Sequence, residues 1–246
     1  MTTELDPAPV PAVWSMPLVL RALKSDPPLH TDALEAAATA CMRVWHDPRA
    51  EEEWAPAFDA WLTRQIRKVA RRATQASKWT AAEQVPGVSV TCGTATVRAY
   101  PPFQWQPESL LPKVIADLQV AGTDYPDADE LPPPAEHQAQ LWLNPHLTTL
   151  ADQPMTTGKA MAQAGHAAML LWWGLTPQAQ QAWHEAGYPL AVRPAAAEQW
   201  ESLLGHPRRL PAVRDAGFTE IPAGSCTFVA LPPGGRLDLL AAVPAR

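Results

Sequence analysis

The sequence predicts an α/β fold made of two tandem small layered domains, each with its own sheet, arranged as a pseudo-dimer. Three observations lead there. Strand-like and helix-like segments alternate along the chain, the pattern of layered α/β units. Residues 123–136 (TDYPDADELPPPAE) are acidic, proline-rich and without periodicity, and read as a linker. The segments on either side of it resemble each other in several blocks that recur in the same order.

The longest block sets TDALEAAATACMRVW (31–45) against GKAMAQAGHAAMLLW (158–172) without gaps. Ala33 pairs with Ala160, Ala37 with Ala164, Ala40 with Ala167, Met42 with Met169 and Trp45 with Trp172. WLTRQIRKVAR (61–71) and WHEAGYPLAVR (183–193) agree at both ends. CGTATVRAYPP (92–102) and AGSCTFVALPP (223–233) share Gly93/Gly224, Thr96/Thr227, Ala99/Ala230 and their prolines. Alanine-rich stretches align by chance, so the inference rests on the order of the blocks.

Each half reads as strand, helix, helix, strand, helix, strand. In the second half, 139–143 is a short apolar strand and 158–173 a helix rich in small residues. A helix at 177–186 leads into a strand at 189–192; a helix at 195–204 and an apolar strand at 226–231 follow. The expected layout is a disordered leader (1–11), a first domain (12–122), the linker, and a second domain (137–246). A pair of similar halves in one chain suggests that an internal interface replaces the two-fold contact of a homodimer.

The bulk properties narrow the class. An apolar fraction of 47% is ordinary for a globular chain. The longest apolar stretches, such as 167–175, fall short of a bilayer span, and the N-terminus lacks the basic and apolar regions of a signal peptide. The three cysteines, Cys41, Cys92 and Cys226, show no CxxC spacing and read as buried structural thiols in a cytoplasmic protein. A net charge of −6 argues against a general nucleic-acid binder. Arg64, Arg67, Lys68, Arg71 and Arg72, followed by Trp79, form a local basic exception. That cluster fits phosphate contacts and fits equally a solvated, salt-bridged segment. The eleven tryptophans read as core and interface anchors rather than a base-stacking platform.

Polar residues stand out at two places. Lys159, Gln163 and His166 fall on one face of the 158–173 helix, interrupting a surface of Ala, Gly and Met. Lys159 lies in the first turn, where the helix dipole disfavours a cation unless it faces an anion. A solvated face with a satisfied core histidine is the plain alternative. The other place is DAGFTEIPAGSCT (215–227), where Gly217 and Gly224 suggest tight turns and Asp215, Thr219, Ser225 and Thr227 supply a carboxylate and hydroxyls. Gly158-Lys159 is not a phosphate-binding Walker loop, since the earlier glycine and the following Ser/Thr are missing.

Taken together, GKxxAQxxHA followed by DAGxT and a Gly-Ser-x-Thr strand entry resembles the type II peptidyl-tRNA hydrolase family, over roughly residues 139–233. The resemblance implies a small α/β/α domain with a mixed four-stranded sheet, often dimeric, that hydrolyses the ester between a peptide and tRNA. It implies catalytic roles for Lys159, Asp215, Thr219 and Thr227, with Gln163, His166, Gly158, Gly217 and Ser225 around the substrate. No cofactor or metal is implied. The chain departs from the family at Phe218, where arginine is common, and in a longer loop at 144–157. Ester hydrolysis needs an activated water and a stabilised oxyanion. Asp215 would orient or deprotonate the water, Lys159 and first-turn amides would hold the oxyanion, and the threonine hydroxyls would position water or ester.

The first half lacks these groups. Asp32 stands for Lys159, Ala36 for Gln163 and Thr39 for His166, and VPGVSV occupies the place of DAG with Gln84 aligned to Asp215. It reads as a degenerate copy, either a structural partner or a tRNA-contacting surface through Arg64, Lys68, Arg71 and Arg72. The expected partner is peptidyl- or acyl-tRNA as substrate, without a membrane, the chain being a monomeric pseudo-dimer or a higher homo-oligomer. Action on another acyl-tRNA ester, and a non-catalytic RNA- or protein-binding role, remain as alternatives.

Overall fold

The computed structural model describes residues 12–120 and 124–241; the expected leader lies outside these residues. The first half contains β1 (Val13–Arg21), α1 (His30–Trp45), α2 (Ala55–Leu62), β2 (Arg67–Ala73), α3 (Ala76–Glu83), β3 (Val88–Cys92) and β4 (Ala95–Ala99). It continues with β5 (Phe103–Gln106), α4 (Lys113–Ala116) and β6 (Gln119–Val120). The second half contains β7 (Ala139–Leu143), α5 (Thr157–Gly174), α6 (Pro177–Glu185), β8 (Leu190–Pro194), α7 (Ala197–Leu204), β9 (Ala212–Arg214) and β10 (Cys226–Leu231).

The two mixed sheets share one plan. The first runs β3-β4-β1-β2, extended by β6 and β5, and the second runs β9-β10-β7-β8. In each, the central strand pairs in parallel on one side and antiparallel on the other. Leu18 lies between Ala70 and Ala99, and Leu141 between Val192 and Ala230, so the aligned Ala99 and Ala230 occupy the same register. The aligned tryptophans also agree: the Trp61 indole donates to Arg67 O at 2.8 Å and the Trp183 indole to Pro189 O at 2.9 Å. Trp79 on α3 and Trp200 on α7 are buried in clusters packed on residues of their own sheets.

The strand order expected from the sequence omits the edge strands β3 and β9 and the first half's β5, α4 and β6, all of them short. β8 ends at Pro194 rather than at residue 192. A proline fits there because β8 is an edge strand whose outer amides need no ladder partner. One such amide, Val192 N, donates to Glu35 on α1 at 3.0 Å, and the same carboxylate takes Arg193 at 2.7 Å. Burial raises the Glu35 pKa, opposed by these two hydrogen bonds.

The long helices join the halves. α1 packs on β3 and β4 of its own sheet and touches β8; α5 packs on β9 and β10 and touches β2. The two helices also pack on each other, and both are rich in buried small residues, among them Ala33, Ala37, Ala40, Ala160, Ala164 and Ala167, which let backbones approach closely. Residues of both halves therefore share one apolar core. Trp45 and Trp172 meet edge-on where these helices end, with ring centroids 6.4 Å apart. The described part of the linker holds no helix or strand, yet it is tied down. Asp127 accepts from Thr31 N and Oγ1 at 3.0 and 2.7 Å, and Tyr125 N donates to Thr157 Oγ1 at 3.3 Å. Among the described residues no helix is long and apolar enough to cross a membrane.

At Gly165 this junction is tight. A Cβ there would lie 2.7 Å from Cys41 Sγ and 3.1 Å from the Lys68 stem. Gly165→Ala should therefore destabilise the protein by about 1–2 kcal/mol despite the better helix propensity of alanine. Urea unfolding midpoints test this; a midpoint equal to or above the wild type would show that the junction has room to spare.

Candidate active site

The site begins at the N-terminus of α5. Thr156 caps the helix: its hydroxyl accepts from Lys159 N, while its own N–H and O–H donate to Glu220 Oε1, each at 2.9 Å. A carboxylate is thus held at the positive end of the helix dipole. The small residues of α5 pack inward, and Lys159, Gln163 and His166 line one cavity.

Asp215 follows β9 and opens the loop to β10. The loop is closed by its own backbone, Asp215 N donating to Ser225 O at 2.9 Å and Gly224 N to Asp215 O at 2.7 Å. Gly217 has φ +77°, and a Cβ on it would lie 2.6 Å from that of Ala223. Only glycine fits there without strain, and its N–H donates to Asp215 Oδ1 at 2.8 Å.

These pieces meet on one carboxylate. Asp215 Oδ2 takes Lys159 Nζ at 2.5 Å and Gln163 Nε2 at 2.9 Å, and Gln163 Oε1 in turn accepts from Thr227 Oγ1 at 2.9 Å. Lys159 and Asp215 keep only 14% and 7% of their side-chain surface exposed, so the ion pair is largely dry but reaches a cavity of about 660 Å³. The first-turn lysine does face an anion. Removing one partner of such a pair strands the other charge at a cost of about 3–5 kcal/mol.

The sequence-derived residues fall at different depths. Gly158, Thr219 and His166 line the cavity with Lys159, Gln163 and Asp215. Thr219 is exposed. Thr227 is fully buried behind Gln163, so its hydroxyl orients the amide rather than facing the cavity. Ser225 contributes its carbonyl to the loop, and Gly217 its amide to Asp215. Glu220, which sequence reasoning passed over, lines the cavity and fixes the helix start.

The far wall comes from the first half. Gln65, Ile66, Arg67 and Lys68 line the same cavity. The Arg67 guanidinium lies 4.6 Å over the Phe218 ring, so a cation stands at the place where the loop carries phenylalanine. Lys68 is buried, with Nζ 3.2 Å from His166 Nδ1 and 3.2 Å from Met169 Sδ. The basic cluster read from the sequence is therefore not one surface, because a strand sends neighbouring side chains to opposite faces. Arg71 is buried and donates to Ala116 O and Leu118 O at 2.9 and 2.7 Å, and its role as a phosphate contact is corrected to that of a fold anchor. Lys68 is likewise internal. Arg72 bonds Gln119 Oε1 at 3.2 Å, and exposed Arg64 donates to Ala12 O.

At the equivalent place in the first half, Asp32 Oδ2 accepts from Thr94 N and Oγ1 at 2.7 and 2.8 Å. Thr94 lies in the tight turn between β3 and β4, which stands where the second half has the whole 215–225 loop. Ala36 and Thr39 are buried, and Gln84 merely ends α3. Among the described residues, no three His, Cys, Asp or Glu side chains stand together as a metal site.

Fold and site define a class: a layered α/β unit with a nearly dry lysine–aspartate pair on the wall of a cavity, suited to general acid–base work on a polar substrate. The comparison with family models narrows it. Residues 146–240 match the model described as Peptidyl-tRNA hydrolase PTH2, a stretch that begins after β7 and includes every residue of the Asp215 network. No curated protein and no solved structure matches the chain.

Burial lowers the Lys68 pKa from 10.5 to about 8, so the folded chain releases this proton more readily than the unfolded one. Its contribution to stability is then present above pH 10.5 and lost as pH falls to about 8. Lys68→Met should gain on the wild type across that window by up to a few kcal/mol and stay level below it. Urea unfolding from pH 8 to 10.5 reads the difference directly, and a pH-independent difference would mean that Lys68 is solvated.

Proposed function

We propose that the second half hydrolyses the ester joining a peptide, or an N-blocked aminoacyl group, to tRNA. The observation that carries this reading is the Asp215 carboxylate, held by Lys159, Gln163 and Gly217 at the wall of the cavity. The family match over 146–240 supports it. Asp215 orients a water and takes its proton as the water attacks the ester carbonyl. The adduct then collapses with cleavage of the acyl C–O bond, and Asp215 returns the proton to the departing 3′ oxygen of the tRNA. The Lys159 ammonium has donors beyond the one on Asp215, and these stabilise the oxyanion as it develops. Thr219 holds the water or the ester from the open side, Gln163 keeps Asp215 in place, and Thr227 keeps Gln163 in place. No step needs a bound cofactor.

We read the first half as a degenerate copy of the second. The common strand order, the matched registers and the paired indole hydrogen bonds support a duplication, and the reciprocal α1–β8 and α5–β2 contacts support an internal pseudo-dimer. On this reading the first domain is 12–122 and the second 137–246, and the protein works in the cytoplasm as a monomeric pseudo-dimer or a higher homo-oligomer of it. Phe218 favours a second reading within the same chemistry, in which the acyl group differs from a peptide. Turnover of N-blocked against free aminoacyl-tRNA by the purified chain separates the two, and no turnover of either leaves a non-catalytic binding protein.

Lys159→Ala and Asp215→Ala should each lower deacylation by about a hundredfold or more with the fold retained, the scale of a lost oxyanion donor or base. Near-normal turnover in both would refute the assignment. Asp32→Ala and Thr39→Ala should leave the rate of a folded protein nearly unchanged.

Arg67 lines the cavity, and Arg64 lies outside it, beside Gln65 and Arg67 in a neighbouring hollow; these are the side chains of the basic cluster left to meet phosphates. Arg64→Gln with Arg67→Gln should weaken tRNA binding and lower the log–log salt slope by about 0.7–0.9 per lost contact, with little change in the rate at saturation. An unchanged slope would leave both arginines as solvated surface.

A further inference from the structure

We propose that Lys68, supplied by the first half, fixes His166 of the second half as a hydrogen-bond donor to the substrate. This rests on reading the cavity as a substrate site. The stem of Lys68 crosses from β2 to α5 where Gly165 leaves room for it, a Cβ there falling 3.1 Å from both Cδ and Cε. Its ammonium then meets His166 Nδ1 at 3.2 Å, the Met169 sulfur at 3.2 Å and the face of Trp61, 5.0 Å from the ring centroid. An ammonium has three hydrogens, and these three partners use them. Lys68 is therefore engaged within the protein and acts through His166; it is a positioning residue.

The tautomer of a neutral histidine is set by the hydrogen bond that its other nitrogen makes. Nδ1 accepts from an ammonium only when it carries no proton, which places the ring proton on Nε2. His166 lines the cavity, and Nε2 has no hydrogen-bond partner among the described residues. It thus offers one N–H to an acceptor oxygen of the substrate, a carbonyl, sugar or phosphate oxygen. The charged and titratable neighbours agree. Lys68 from β2 and Lys159 on α5 both oppose a second proton on the ring, and burial, the largest influence, holds the His166 pKa well below its usual value. Cys41 from α1 stays a neutral thiol, burial pushing it up to about 11. Neither Lys68 nor His166 forms an ion pair with a carboxylate among the described residues. The first half, which has no catalytic set of its own, completes the site of the second.

Long-range ¹H–¹⁵N spectra of the full chain, with His166→Gln as the assignment control, test this in the wild type. At pH 7 the expected result is a neutral ring with its proton on Nε2; a proton on Nδ1, or an imidazolium, overturns the proposal. In Lys68→Met the ring should relax to a tautomer mixture, and kcat/KM on N-blocked aminoacyl-tRNA should fall about tenfold, the scale of one neutral hydrogen bond. The loss should be absent when Lys68→Met is added to His166→Gln, since the two act as a unit. An unchanged tautomer in Lys68→Met, or additive losses in the pair, refutes the idea. If Lys68→Met does not fold, the wild-type tautomer decides alone. The expected tautomer in a chain that hydrolyses no acyl-tRNA would support the Lys68–His166 assignment and remove the hydrolase reading.

Discussion

The carboxylate of Asp215 is the constraint around which the second half is arranged. It gathers a lysine and a glutamine from α5 and a backbone amide from its own loop, so the helix, the loop and, through Thr227, the last strand are referenced to one group. A charge this buried has to be satisfied from several directions. That need explains local features which look unrelated: the positive φ of Gly217, the lysine in an unfavourable first turn, and a threonine buried in a strand. The same arrangement serves chemistry, because a carboxylate fixed on its inner side presents its remaining acceptor capacity to the cavity.

The second organising feature is the seam between α1 and α5. Their small residues bring the halves so close that β2 contacts α5, and the cavity acquires a wall from the first half. Cores of small residues gain little from each side chain but allow close backbone approach, and the larger Trp, Leu and Met side chains around the seam supply the buried area. The ordered linker adds to this. By bonding the first turns of both helices, it holds their N-termini, and hence the start of α5 with its lysine, in fixed relation.

Much of this was legible in the residues themselves. The helix carrying Lys159, Gln163 and His166 announces its polar face by spacing, and the glycines of 215–227 announce its turns. Block order revealed two similar halves because the repeated residues, Trp61 and Trp183 above all, make the same local contacts in each. What stayed hidden depends on contacts between distant segments. Nothing near Glu220 marks it as the partner of a cap some sixty residues earlier. Arg71 looks like surface charge until α4 and β6 cover it, and Lys68 looks the same until Gly165 and His166 receive it. The strand β9 was missed because three residues leave almost no periodic signal.

The equivalent positions of Arg67 and Lys68 in the second half are Pro189 and Leu190, as the matching registers of β1–β2 and β7–β8 require. In an assembly of identical subunits every substitution occurs twice, so a lysine at that point would put an ammonium on both sides of the same seam. A single covalent chain escapes that rule. One side is free to carry charge while the other stays apolar, and division of labour between the two sides becomes available at half the electrostatic cost.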